Sequence, residues 1–382
     1  MNRRERMSQV LVSLVSKQTI PNVLFIKEME GKLSKKIEKY VFITTELMKK
    51  KKKTDSIIST THIPRSKIRI IKVIEDSIEN IENQLENFAK NELHDDDRCI
   101  VNLTGGTKIM SIGIYTFFKE RGSIIYYLPI GKNVYKQIFP LEKQKDNVLD
   151  YRISLDDYLT SYGMYPQNRN ELLKDKEYTK KFYKTFLQND LDPEIIERLR
   201  KERNQKKVPL DEEIKLFLEE IHFELENEKF INKKEINYIT GGWFEEYGYS
   251  LVKEHLSLKD DELGLNVQIS HDGTQNEFDI MIVHENILTI IECKTSLDDN
   301  GKNLLNDTLY KLSALNKELG LQVNSYLFTL DENLRDEKGE IKSDCQNRAD
   351  LLDIMLIDRK LLEDEIELKD IFNRIKGGNT RV

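Results

Sequence analysis

The sequence predicts an α/β protein of two domains, and three observations carry that reading. In the first half, near-continuous apolar runs of strand length alternate with helical segments, the mark of a doubly wound parallel sheet covered on both faces. A Gly-Gly turn joins one of those strands to a helix. In the second half, two apolar runs flank a short turn, as in a β-hairpin; one holds an acid, the other an acid and a lysine two residues apart.

Val10 to Val15 reads as the first buried strand, and Ser16-Lys17-Gln18-Thr19-Ile20-Pro21-Asn22 as the polar loop after it, before Val23, Phe25 and Ile26. Cys99 to Leu103 is a short apolar strand. Thr104-Gly105-Gly106-Thr107 is its loop, and a helix continues from Lys108 and Met110 through Ile112, Ile114, Tyr115 and Phe118. Ile124 to Leu128 is another strand. Ligands of such sheets bind at the carboxyl ends of strands, where both polar loops fall. Strand, Gly turn and helix N-terminus together make an anion site, because free N–H groups and the helix dipole point at the loop and glycine lets the backbone approach a phosphate. Thr104, Thr107 and Lys108 add hydroxyls and a charge. Neither G-x-x-x-x-G-K-[ST] nor G-x-G-x-x-G is present. The bland alternative is an ordinary βα turn with glycine for geometry.

Residues 151–235 are charged and helix-rich, with Leu210 to Leu218 at helical apolar spacing, and read as a helical connector. Arg198, Arg200, Lys201, Arg203, Lys206 and Lys207 are candidates for local phosphate contact, although such a run is commonly a solvated helix face. Lys49 to Lys53 reads as a surface helix end or loop.

Ile239 to Tyr247 reads as a Gly241-Gly242 turn opening a helix, with Trp243, Tyr247 and Leu251 as the buried stripe and Glu245 or Glu246 beside it. Phe278 to Val283 and Leu288 to Lys294 are the two strand runs. Side chains at i and i+2 share a strand face, so Glu292 and Lys294 lie together and Asp279 can join them from the neighbouring strand. Two carboxylates can hold a hard divalent cation, and a cation with a nearby ammonium activates water and stabilises charge on an attacked phosphate. E-x-K recurs at Glu30/Lys32, Glu213/Lys215, Glu340/Lys342 and Glu367/Lys369, but only the Glu292 copy sits in a β-branched apolar run after an acid-bearing strand. A charge there is costly unless it is paired or bound to metal. Thr308 to Leu315 reads as a helix whose Lys311 can reach a phosphate, although a lone lysine of this kind is more commonly solvated.

At 382 residues, two domains and a connecting segment are the natural expectation. Cys99, Cys293 and Cys345 form no C-x-x-C, which speaks against a disulfide framework or zinc site and for a reducing, cytoplasmic interior. No run reaches membrane-spanning length, so no membrane partner is expected. The net charge of −7 does not favour nucleic acid in bulk, so phosphate binding must come from local basic clusters and bound metal. H-E-x-x-H and G-x-S-x-G are absent, which removes support for zinc-protease and serine-hydrolase chemistry.

The order of helix acid, Asp279 and Glu292-x-Lys294 over residues 236–330 resembles the restriction-endonuclease-like PD-(D/E)xK superfamily. That resemblance implies a mixed central sheet flanked by helices, Asp279, Glu292 and Lys294 as the catalytic set with Glu245 as a fourth acid, and Mn²⁺ or Mg²⁺ on Asp279 and Glu292. The first half resembles the CARF domain, the Rossmann-like sensor of cyclic oligoadenylate, in its Ser16-to-Asn22 loop and its Asn102-to-Met110 segment. By that resemblance Ser16, Gln18, Thr19, Asn22, Thr104, Gly105, Gly106, Thr107, Lys108 and Met110 bind the effector. The whole chain resembles the type III CRISPR ancillary nucleases: sensor 1–150, connector 151–235, nuclease 236–382. The implied protein is a homodimer that binds cyclic tetra-adenylate and cuts DNA, RNA or both. The competing readings are a ligand-responsive nucleic-acid-binding regulator and a repair or restriction nuclease without such gating.

Overall fold

The computed structural model describes residues 8–141, 146–169, 171–188, 191–271, 273–299 and 302–377. Its first half runs β1 (Gln9–Leu14), α1 (Ile20–Lys32), β2 (Ile37–Thr44), α2 (Glu46–Lys50), α3 (Lys53–Thr61), β3 (Ile68–Lys72), α4 (Ile78–Glu92), β4 (Arg98–Asn102), α5 (Lys108–Glu120), β5 (Ile124–Tyr127), β6 (Val134–Phe139) and β7 (Asn147–Val148). The sheet order is β3-β2-β1-β4-β5-β6-β7, parallel from β3 to β5 and antiparallel beyond. The period of two along β1 divides its side chains between two cores. Val10, Val12 and Leu14 pack with Ile81 and Leu85 of α4 and Ile114 of α5, while Leu11 packs with Val23 and Phe25 of α1. The loop after β1 is shorter than expected. α1 already begins at Ile20, with Pro21 in its first turn, where a missing N–H removes no helical hydrogen bond.

The chain continues through α6 (Leu155–Ser161), β8 (Tyr165–Asn168), α7 (Lys176–Leu187), α8 (Pro193–Lys201), β9 (Lys207–Pro209), α9 (Glu212–Glu220), β10 (Phe230–Asn232), α10 (Lys233–Asn237), α11 (Trp243–Leu256), β11 (Leu263–His271), β12 (Thr274–His284) and β13 (Ile287–Lys294). A small ribbon of β14 (Asp298–Asp299) and β15 (Lys302–Asn303) precedes α12 (Leu304–Leu319), β16 (Val323–Thr329), α13 (Ser343–Leu351), β17 (Ile354–Ile357), α14 (Arg359–Glu363) and α15 (Glu365–Gly377). The second sheet is mixed, in the order β17-β16-β13-β12-β11-β8: β13, β16 and β17 are parallel, whereas β8, β11, β12 and β13 are antiparallel neighbours. Segment 151–235 therefore supplies an edge strand as well as helices.

The Gly241-Gly242 pair opens α11 as the sequence predicts, but as a kink between two helices rather than a turn after coil. α10, started by the reciprocal capping box of Asn232 and Glu235, runs on to a break at Gly241 (φ 159°, ψ −32°), and α11 begins directly after Gly242. Further on, Gly248 lets α11 lie flush on the sheet, since a Cβ there would stand 3.0 Å from Ile280 Cδ1 and 3.2 Å from Cys293 Sγ. One apolar cluster runs through both halves: Leu24 and Phe25 of the first, Tyr158, Leu159 and Tyr162 around α6, and Leu309 and Leu312 of α12 belong to it. Among the described residues no helix is long and apolar enough to cross a membrane.

Candidate functional site

The hairpin β12–β13 builds the site. Its ladder pairs Ile280 with Ile291, and the same register carried one step further sets Asp279 beside Glu292. Both acids are buried at the end of apolar strands, 8% and 3% exposed respectively. Asp279 Oδ2 accepts hydrogen bonds from the Cys293 backbone N–H at 2.7 Å and from Lys294 Nζ at 3.2 Å. Lys294 Nζ also donates to Glu292 Oε1 at 2.9 Å, and Lys311 Nζ reaches the same oxygen at 3.3 Å from α12. Burial works to lower the Lys294 pKa, and the charges of Asp279 and Glu292 more than reverse it, so the ammonium stays protonated.

Glu245 approaches from the start of α11, and of the two adjacent glutamates it is the one that faces Asp279. Burial first, and the Asp279 charge second, raise its pKa well above the carboxylate range, against a hydrogen bond from Asn266. Glu246 points elsewhere: it accepts from the backbone N–H groups of Leu173 at 2.7 Å and Lys174 at 3.3 Å, and so fastens the segment before α7. Asp279 is raised too, by burial and then by Glu292.

The donor set fits a divalent cation. Glu292 Oε2 is buried without a hydrogen-bond partner, a costly state for a carboxylate oxygen that a cation would relieve. Among the described residues no group of three or more His, Cys, Asp or Glu is arranged to hold a metal; here the Lys294 ammonium bridges the two acids. A cation held there would draw on ionised carboxylates and release protons. This gives a signed expectation. Raised folded-state pKa values at Asp279 and Glu245 contribute stability that is full below the unfolded value of about 4 and is lost as pH rises through the folded values. In chelator, the melting temperature of the protein relative to Asp279→Asn should fall as pH rises from about 4, and Mn²⁺ should restore it at the alkaline end. A melting temperature indifferent to Mn²⁺ at alkaline pH contradicts the cation assignment.

The second cluster is the loop between β4 and α5. Gly105 (φ 113°) and Gly106 (φ 70°) carry the left-handed backbone, and Gly106, Thr107 and Lys108 are exposed at the helix start. Thr107 caps α5, accepting from Met110 N at 3.2 Å and donating to Glu75 O at 2.8 Å. Ser16, half-buried, lies against Gly105, where a Cβ would stand 2.7 Å from its Oγ. The structure does not present the remaining expected effector residues at this surface. Thr19 is buried with its Oγ1 donating to Ser161 Oγ at 3.2 Å; Asn22 Nδ2 donates to Leu14 O at 3.1 Å; Thr104 Oγ1 accepts from Leu128 N at 2.7 Å; Met110 is core. Asn22 and Thr104 are thereby consumed in fixing strand ends, and Thr19 in tying α1 to α6. Gln18 faces the other domain, its Oε1 accepting from Tyr162 Oη at 2.8 Å and from Leu321 N at 3.1 Å.

Sequence reasoning missed the seam between the halves. The β12–β13 turn, with Glu285 and Asn286 at positive φ, inserts against the first domain. Asn286 Nδ2 donates to Asn133 Oδ1 at 2.7 Å and Tyr151 O at 3.0 Å, its Oδ1 accepts from Ile153 N at 2.9 Å, and Asn133 Nδ2 donates to Glu285 O at 3.1 Å. An Asn at a tight turn was the available signal. Of the basic run, Arg198 pairs with Asp211 and Glu213, Arg200 with Glu197, and Arg203 binds Thr240 Oγ1 at 2.6 Å.

A family model described as the Card1 CARF domain matches residues 10–158, and one described as the Card1-like endonuclease domain matches residues 232–362. Among solved structures, Can2 from Sulfobacillus thermosulfidooxidans in complex with cyclic tetra-adenylate is similar at a TM-score of 0.72 and 20% identity, over 95% of this chain and 98% of that one. Protein VC1899 from Vibrio cholerae is similar at 0.75 and 20%, over 98% of this chain and 99% of that one. A type III CRISPR defence DNA nuclease activated by cyclic oligoadenylate is similar at 0.53 and 14%, over 90% of this chain and 52% of that one. No curated protein matches by sequence.

Proposed function

We propose that this chain, a CARF nuclease joining a Card1 CARF domain to a Card1-like endonuclease domain, is switched on by cyclic tetra-adenylate to hydrolyse phosphodiester bonds of DNA, RNA or both in type III CRISPR antiviral defence. The observation that carries the reading is the pairing of two sites in one chain. Asp279, Glu292 and Lys294 form one hydrogen-bonded cluster in the endonuclease half, and an exposed Gly-Gly loop at the start of α5 lies in the CARF half. We place the sensor at 1–150, the connector at 151–235 and the nuclease at 236–382.

Asp279 and Glu292 would hold Mn²⁺ or Mg²⁺, which when bound polarises a phosphate oxygen and makes a water acidic. Lys294, hydrogen-bonded to both acids, whose charges hold its pKa up, supplies positive charge to the attacked phosphate. Lys311, half-exposed on α12, meets the phosphate from the solvent side. Glu245, whose pKa burial and the Asp279 charge push up to about 8, is suited to take a proton from water once it is ionised. The test is incubation with single- and double-stranded DNA and RNA, with and without cyclic tetra-adenylate, in Mn²⁺, Mg²⁺ or chelator. Cleavage that ignores both effector and chelator would overturn the reading.

The working form is a homodimer. A cyclic ligand of repeated units is best met by two copies of one loop about a two-fold axis, and exposed Ile74, Ile78, Ile109 and Ile112 flank the loop, whose Thr107 is tied to Glu75. The effector activates only by binding the cutting-competent arrangement more tightly than the resting one. Solution scattering should show a dimer whose shape changes with cyclic tetra-adenylate. A monomer in both states, still fully activated, rules the dimer out.

A further inference from the structure

We infer that Asn266 is a positioning residue of the nuclease site: its amide nitrogen holds Glu245, and its amide oxygen is offered to the cation carried by Asp279 and Glu292. The inference rests on the reading of those two carboxylates as cation ligands.

Asn266 lies within β11, opposite Asp279. The β11–β12 ladder pairs Leu265 with Ile280 and Val267 with Phe278 but omits the Asn266–Asp279 position between them. Asn266 there has φ 46°, left-handed backbone in the middle of a strand. Side chains with a Cβ avoid that region, Asn least of all, and such backbone persists where a site demands it. The side chain shows the demand. The hydrogen bond from Asn266 works to lower the Glu245 pKa, as only a bond donated to a carboxylate does, so it is the amide nitrogen of Asn266 that faces Glu245. The oxygen is then directed away from Glu245, and it is buried without a donor. Glu292 Oε2 is in the same state across Asp279. Buried acceptors without donors are costly in a folded protein. A hard divalent cation takes neutral amide oxygens alongside carboxylates, and one ion with its bound water would satisfy both.

The test is a calorimetric Mn²⁺ titration of the full-length protein. Asn266→Gly removes the amide while keeping a residue at ease with that backbone, so unfolding in chelator should be unchanged while Mn²⁺ affinity falls about tenfold. Asn266→Asp, which keeps an oxygen, should bind Mn²⁺ more tightly than Asn266→Gly. If Asn266→Gly binds Mn²⁺ as tightly as the unmodified protein while Glu292→Ala does not bind it, the role of Asn266 is wrong and the carboxylate reading stands. If the unmodified protein fails to bind Mn²⁺, both fall.

Discussion

Glu292→Ala is expected to abolish cleavage, by at least about 10²–10³-fold, the loss that follows removal of a single preorganised electrostatic contact. The reason is local. Glu292 is where the ammonium groups of Lys294 and Lys311 converge, at 2.9 and 3.3 Å, and its second oxygen is the buried acceptor that has no protein partner. Alanine removes the proposed cation ligand and frees Lys294 to pair with Asp279 alone. Asp279→Ala should act similarly, losing the second proposed ligand and the anchor that Cys293 N–H donates to. Lys294→Ala should be severely impaired even where Mn²⁺ still binds, because charge at the phosphate is lost. None of the three should change the affinity for cyclic tetra-adenylate, measured by calorimetry. Near-normal cleavage by Glu292→Ala would sink the catalytic assignment.

Gly106→Val is expected to remove activation by cyclic tetra-adenylate at any practical concentration. Gly106 has φ 70°, which a β-branched residue does not adopt without strain. A Cβ at this position would also stand 2.7 Å from Leu14 Cδ2 and 3.0 Å from its Cγ, and Leu14 is buried at the end of the central strand, so the loop and Leu14 cannot both keep their places. Lys108→Ala removes one charged contact of about 1.5–3 kcal/mol, which should raise the activating concentration roughly tenfold or more. Mn²⁺ binding should survive in both variants. If both respond to effector as the unmodified protein does, the loop is an ordinary βα turn.

The parts of this site that depend on period were legible in the sequence. Glu292 and Lys294 share a face because strands repeat every two residues, and a run as apolar as Leu288 to Ile291 has to be a buried strand. Where side chains point within a loop was not legible. Thr19, Asn22 and Thr104 read as exposed in a polar segment, yet each is turned inward, Asn22 and Thr104 at strand ends and Thr19 against α6, and Met110 is on the buried side of α5. Pro21 was a helix-start signal that shortened the first loop. Glu245 and Glu246 are chemically identical neighbours, and only packing of α11 decides that the first meets Asp279 while the second holds the Leu173 backbone. Asn266 escaped notice because its importance lies in a backbone conformation that strand propensity argues against.

The docking of the β12–β13 turn onto Asn133, Tyr151 and Ile153 bears on what proteolysis could do to this chain. The turn that joins the strands bearing Asp279 and Glu292 has its polar groups satisfied by Asn133, Tyr151 and Ile153, and the apolar cluster around α6 is shared by both halves. A nuclease half cut free would bare those apolar faces and leave the turn's polar groups to water, so its acids would lose the frame that aligns them. Clipping the chain between its halves should therefore silence the endonuclease half and not free it from control.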